Sequence, residues 1–239
     1  MSAFFCTFNY SNFFIMKKIL MTLVLLMPFG VFAQANSDEL DALYREDQFY
    51  FGFSYNTLTK TPEGFSQTGF SPGFKLGFIR DFPINLKRTF ALGLGVGYAF
   101  NAYSENLKIM ESSGLYSYEL VNTNAYQRNR FSFQAIEIPF EFRWRTSTAQ
   151  DYKFWRIYAG FKASYAFSSS YVYEDNVVTT RLKNFNLNPW QFGLTLSIGY
   201  NNWNGFLYYG LNSIFKDALI AQEPLEAKSI KIGLMFYFL

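Results

Sequence analysis

The sequence predicts an all-β chain: an antiparallel up-and-down transmembrane β-barrel of about eight strands with a filled lumen, preceded by a signal peptide. Three observations predict it. Apolar and polar residues alternate over most of the chain with a period of two, the period of a strand. Half of the residues are hydrophobic, yet the mean hydropathy is −0.02, so the two kinds are interleaved rather than segregated. Aromatic residues reach 22%, with Phe 30 and Tyr 18, while charged residues make up only 16%. That balance departs from an ordinary soluble domain and suits a wall that faces hydrocarbon.

The N-terminus reads as a targeting segment. Met16, Lys17 and Lys18 precede the apolar run ILMTLVLLMPFGVFA, which ends in the small-residue pattern Val31-Phe32-Ala33 before Gln34. The spacing predicts a signal peptide over 16–33, cleaved between Ala33 and Gln34. A spanning helix fits less well, because Pro28 and Gly30 interrupt a short apolar run. Residues 1–15 carry no charge and precede a natural start, so Met16 is the expected initiator and 1–15 a non-native extension. Cys6 would then be absent from the protein. Residues 34–47, QANSDELDALYRED, read as a polar periplasmic lead, and 48–239 as the barrel domain. Losing Lys17, Lys18 and no acid takes the net charge from +3 to +1.

Alternation marks eight strands at about 48–57, 70–80, 89–103, 131–145, 153–169, 190–200, 204–214 and 229–239. The third is the clearest. Phe90, Leu92, Leu94, Val96, Tyr98 and Phe100 take one side, with Ala91, Gly93, Gly95, Gly97 and Ala99 on the other. Large residues outside and small ones inside are the pattern of a narrow closed barrel in lipid. Closure leaves no unpaired edge in hydrocarbon. Trp144, Trp155, Trp190, Trp203 and Tyr200 fall near strand ends, where interfacial aromatic girdles sit. The links alternate in length. The short ones (81–88, 146–151, 201–203) are assigned to the periplasm with both mature termini. The long ones (58–69, 104–130, 170–189, 215–228) are assigned to the outside. The strands flanking 104–130 are expected to continue as a hairpin beyond the membrane. Leu219 and Ile220 are expected to form one short helical turn.

Composition excludes several functions. Without histidine there is no Ser-His-Asp triad, Cys-His pair or histidine metal site, and one cysteine makes neither an intrachain disulfide nor a thiolate cluster. Lys and Arg are scattered, which argues against nucleic acid as a partner. The run Gly93-Leu94-Gly95-Val96-Gly97 superficially suggests a nucleotide loop, but it lies within a strand with no helix following, so its glycines read as lumen positions. Glu174-Asp175 could hold a divalent cation or simply solvate a loop, and solvation fits better because no further oxygen ligands recur at fixed spacing.

The stretch IEIPFEFRWR (136–145) sets Glu137, Glu141, Arg143 and Arg145 among five large apolar residues. In a barrel, Ile136, Ile138, Phe140, Phe142 and Trp144 face lipid and the charges face the lumen. The next strand adds Arg156 and Lys162 to the same interior. Contacts are expected between Glu137 or Glu141 and Arg143, Arg156 or Lys162, as a structural network that fixes register and closes the lumen. An active site or ion path is the sharper alternative, since two acids can do acid–base work. No catalytic, metal or cofactor-binding residue is expected, and no enzyme.

The stretches QFYFGFSYNTLTKTPEGFSQTGFSPGFKLGFIRDFPIN, IEIPFEFRWRTST, YKFWRIYAGFKASYAF and FGLTLSIGYNNWNGFLYYGLNSIF resemble the PorT family of Bacteroidota. The resemblance covers about residues 45–239. It implies an outer-membrane component of the type IX secretion system, needed to export proteins with a C-terminal sorting domain for gliding or protease secretion. It implies no catalytic or ligand residues. A lumen filled with side chains passes no folded cargo, so the expected role is accessory or scaffold. The expected partners are outer-membrane lipid and other secretion components. The alternatives are a generic small porin-like barrel, either narrow channel or structural anchor, and a carboxylate-dependent lipid-acting enzyme.

Overall fold

The computed structural model describes residues 47–146, 155–220 and 222–238. The expected extension 1–15, the signal peptide with its Ala33–Gln34 cleavage point, nearly all of the 34–47 lead and most of the 146–151 link lie outside the described residues. The strands are β1 (Gln48–Thr59), β2 (Pro72–Pro83), β3 (Phe90–Ser104), β4 (Leu107–Ser112), β5 (Leu115–Leu120), β6 (Arg128–Arg145), β7 (Trp155–Glu174), β8 (Thr179–Lys183), β9 (Trp190–Tyr200), β10 (Trp203–Gly210), β11 (Leu219–Ile220), β12 (Glu223–Pro224) and β13 (Lys228–Phe238). Among the described residues the one helical element is the single 3-10 turn Thr123–Ala125.

Eight strands close a barrel. In chain order β1, β2, β3, β6, β7, β9, β10 and β13 each pair antiparallel with the next. β13 then returns to β1, with Phe49 opposite Phe238. Both ends of the barrel domain therefore lie at the end with the short links. There β9 and β10 are joined by Asn201–Asn202 alone, with Asn201 at φ 55, a conformation that asparagine tolerates better than most residues. One proline sits inside this sheet. Pro139 has no N–H to donate, and the β3–β6 ladder is interrupted there, between Leu94↔Phe140 and Gly97↔Glu137.

One local expectation is refined and another corrected. The hairpin expected in 104–130 forms, but LKIMES and LYSYEL make a two-stranded sheet of their own rather than prolonging β3 and β6. They pair with each other, Ser112 opposite Leu115, through the two-residue turn Ser113–Gly114. Both turn residues have positive φ, 53° and 81°, as a type I′ hairpin requires. The strand that does run on is β7, whose last turn-ward residues, Ser170–Glu174, pair with β8. Leu219–Ile220 form no helical turn. They pair with Glu223–Pro224, with Gln222 at φ 72 between them. Proline and a left-handed residue both oppose helix, and Ala218 and Leu225, joined by the 2.8 Å Leu225 N–H to Ala218 carbonyl bond, are buried beneath.

The interior has two parts. At the long-link end, Tyr103, Phe131, Phe133 and Tyr171 point inward from the barrel and meet Phe185, Leu187, Ile214 and Phe215 from the links and Leu107 and Ile109 from β4. At the short-link end, a smaller set (Tyr50, Ile79, Tyr158, Phe206, Tyr208, Met235 and Tyr237) is interleaved with charged side chains.

Candidate functional site in the barrel interior

Strand parity positions the charges. Along β6 the odd-numbered side chains point inward: Glu137, Glu141, Arg143 and Arg145 are at most 7% exposed, whereas Ile136, Ile138, Phe140 and Phe142 are 45–48% exposed on the outer wall. Arg156 and Lys162 are buried by the same parity on β7. The aromatic residues at strand ends divide between two rims. Trp155, Tyr200 and Trp203 are exposed at the short-link end, with Trp144 half-buried beside Phe90. Trp190 is exposed at the other end, beside Tyr165.

The ion pairs fall into two groups. Nearer the short links, Asp81 sits between two arginines. Arg145 grips it with Nη1 and Nη2, each 2.9 Å from a carboxylate oxygen, and Arg143 Nη1 donates to Oδ1 at 3.1 Å. Arg143 also donates from Nε to Glu141 Oε2 at 3.1 Å and from Nη2 to Gln48 Oε1 at 3.2 Å, and its guanidinium lies 4.5 Å from the Tyr158 ring. Arg145 Nε donates to the Arg88 carbonyl in the turn below. Fork-shaped donors matched to a carboxylate give charge-assisted bonds with fixed geometry. Farther in, Lys162 Nζ donates to Glu137 Oε2 at 2.7 Å. Arg156 lies over the Tyr237 ring at 5.7 Å.

Of the six charges read from the sequence, the structure therefore brings Glu141 to Arg143 and Glu137 to Lys162, while Arg145 is taken by a residue outside the set. The sequence alone places Asp81 in the short link 81–88. β2 instead runs on to Pro83, and its inward parity (Lys75, Ile79, Asp81) puts the carboxylate at the centre of the network. The alternation FIRDF carried the signal. Lys75 and Lys231 were likewise missed. Both are buried, with Lys75 Nζ 3.4 Å from the Phe206 ring centroid and Lys231 Nζ 4.8 Å from that of Tyr208. Ammonium–ring contacts of this kind offset part of the cost of burying a cation.

The glycine run is explained by the same crowding. A Cβ on Gly93 would stand 2.8 Å from Arg143 Nε and 3.0 Å from its Cδ, so the arginine side chain passes close over a wall position that has no side chain. The acidic pair is likewise accounted for locally. Asp175 Oδ1 accepts the Val177 and Val178 N–H groups at 2.8 and 2.6 Å, capping the β7–β8 hairpin, and these bonds hold its carboxyl below the usual range. At the opposite extreme is Glu105, just past the end of β3. It is 3% exposed, its Oε1 has no hydrogen-bond partner among the described residues, and burial pushes its carboxyl well above the usual range.

Comparison with known proteins adds the following. The model of the outer membrane protein beta-barrel domain family matches residues 32–216. No curated protein matches the chain. Two crystal structures of Ail, the attachment invasion locus protein of Yersinia pestis, align with it at 12% sequence identity over 82% of this chain and 100% of Ail. The one in complex with the heparin analogue sucrose octasulfate gives a TM-score of 0.37, and the other 0.33.

Proposed function

From the premise that this chain belongs to the family of outer membrane protein beta-barrel domains, we propose that it serves the type IX secretion machinery as an accessory or scaffold, not as the conduit. The filled interior carries this reading. The lumen is crossed by the Asp81–Arg145, Asp81–Arg143, Glu141–Arg143 and Glu137–Lys162 contacts and backed by the aromatic core at the long-link end, so no passage of protein width remains. The resemblance of IEIPFEFRWRTST and YKFWRIYAGFKASYAF to the PorT family supports the choice of machinery. In this reading the short links and both ends of the barrel domain face the periplasm and the long links face outward. The work is done by the links and the lipid-facing wall, against membrane lipid and other secretion components.

We assign no catalysis and no nucleic-acid partner. Glu137 and Glu141 are each held by a cation, which leaves neither as a free base for the lipid-acting alternative. Deleting the gene tests the proposal. Sorting-domain proteins are expected to be lost from the medium and to accumulate inside the cell envelope, and normal secretion overturns it. A second reading, a small porin-like barrel acting as narrow channel or anchor, draws on the family membership itself. Steady single-channel current in a planar bilayer favours that reading, and a silent barrel favours the first.

A further inference from the structure

On the outer wall of the barrel one side chain is out of place. Arg80 is exposed and points outward from β2 with Phe78 before it and Phe82 after it on the same face. Among the described residues it is the one charge flanked along its strand by apolar outward neighbours on both sides. No carboxylate among them lies within ion-pairing distance of it, and its guanidinium rests over the Phe82 ring, 6.0 Å away. Gln48 pairs with Ile79, so Asp47 stands across from Arg80 on the outer face, but its carboxylate turns to the backbone and forms no ion pair with the guanidinium. Asp47 Oδ1 accepts the Asp81 N–H at 2.8 Å. Among the described residues the Arg80 charge is left without an ion pair, and near the rim of an apolar wall such a cation is best met by an anion of the headgroup layer.

A groove opens directly beyond Arg80, toward the long-link end. It has a volume of about 520 Å³ and is lined on the outer face by Phe49, Phe51, Leu76, Phe78, Val96 and the ring of Tyr98, whose hydroxyl is turned to Gln134. Its floor is bare backbone where Gly77 and Gly97 stand opposite each other, with the Tyr50 ring filling the space behind them. Arg80 lies two residues past Phe78, about 7 Å along the strand, and its guanidinium leans on over Phe82, so the cation stands above the groove on the side of the short links.

We propose that this site holds one glycerophospholipid, with an acyl chain in the groove and its phosphate on the Arg80 guanidinium. The planar fork of arginine matches two phosphate oxygens, and the direction fits, with the charge nearer the rim and the apolar trough running deeper into the bilayer. Assignment to the periplasmic leaflet rests on the orientation proposed above. The lipid contact does not, so a failed secretion assay and a failed lipid test are distinguishable.

The test is native mass spectrometry of the purified full chain in a neutral detergent, supplied with palmitoyl-oleoyl-phosphatidylglycerol. One lipid is expected to stay bound to the wild type. Retention is expected to fall at least about tenfold in Arg80→Met, as for losing a charge-assisted bond, and to be partly kept in Arg80→Lys. Val96→Trp, which fills the groove and keeps the arginine, is expected to lose the lipid as well. Equal retention by Arg80→Met, or equal binding of a diacylglycerol that lacks the phosphate, overturns the proposal. A photoactivatable phosphatidylglycerol on the wild type reads the same site without a mutation. Label on the β2 and β3 peptides that carry Leu76, Phe78 and Val96 supports it, and label spread evenly around the barrel or a co-purified protein in the lipid's place overturns it.

Discussion

The two ends of this barrel are built on opposite rules, and β6 shows both within one strand. Near its start the inward residues are Phe131, Phe133 and Ala135, and the outward ones are Arg128, Arg130, Ser132 and Gln134. From Ile136 onward the outward residues are apolar and the inward ones are Glu137, Glu141, Arg143 and Arg145. Parity never changes along β6; the polarity inverts around it. β7 inverts at the same level, where Phe167 is an extra residue opposite the step from Gln134 to Ala135 and the inward side passes from Lys162 and Ser164 to Tyr171 and Tyr173. The solvent outside the wall explains the difference. Beyond the membrane, water surrounds the strands and the interior is an ordinary hydrophobic core. Within it, lipid takes the apolar side chains and the polar ones must satisfy each other inside.

The sharpest way to break this contrast is to unpair the charged half. Asp81→Ala leaves Arg143 and Arg145 facing each other with their shared carboxylate gone, and the cost is expected at the top of the range of about 3–5 kcal/mol for a broken buried pair. Urea unfolding of the barrel in lipid vesicles measures it. A midpoint equal to the wild type's would mean that ion pairs do not hold this half together.

The apolar half should respond differently. Phe131 is 1% exposed, stacked on Tyr103 at 4.8 Å and edge-on to Phe215 at 5.3 Å. Phe131→Ala is expected to cost about 3 kcal/mol, and to show it as proteolysis of the long links while the heat-resistant gel mobility of the barrel survives. Loss of both together would mean that the two halves unfold as one. A smaller probe of the charged half is Gly93→Ala, whose methyl meets Arg143. Overpacking there is expected to cost about 1–3 kcal/mol, with little additional loss when combined with Arg143→Met.

The halves should also differ in pH dependence. Glu105 belongs to the long-link end, and its folded carboxyl titrates above the unfolded one. Below the ordinary carboxylate range both states are protonated. As pH rises above it the unfolded state ionises first, so the stability of this end falls until the folded carboxyl also ionises. Hydrogen exchange near Glu105 is expected to speed up with pH beyond its intrinsic rate, and Glu105→Gln to abolish that excess. The smallest effect is expected at Asp175. Its carboxyl is held low by the Val177 and Val178 N–H groups, so this cap is present above the unfolded carboxylate range and lost as pH falls through the folded value. Asp175→Ala should raise exchange only at 177–180.

Much of this was legible in the alternation, because lipid acts on each strand separately. An outward position in the membrane must be apolar whatever its neighbours do, so the side of Phe90, Leu94, Ile136 or Trp155 can be read from a single strand. The β4–β5 hairpin was harder to place. LKIMES and LYSYEL alternate too, but nothing local says whether their hairpin continues β3 and β6 or stands as a separate sheet; the break at Glu105–Asn106 decides for the second. The aromatic core at the long-link end was not read at all, since Phe185, Leu187, Ile214 and Phe215 come from links with no period.

The sequence by itself determined the architecture: the number of strands, their sides and the inward direction of Glu137, Glu141, Arg143, Arg145, Arg156 and Lys162. Only the tertiary structure decided the partners. Asp81 reaches Arg145 from 64 positions away, and that contact depends on the stagger between β2, β3 and β6 around the closed wall. Hydrocarbon imposes its rule one residue at a time, whereas an ion pair depends on the register between strands, which no single strand contains.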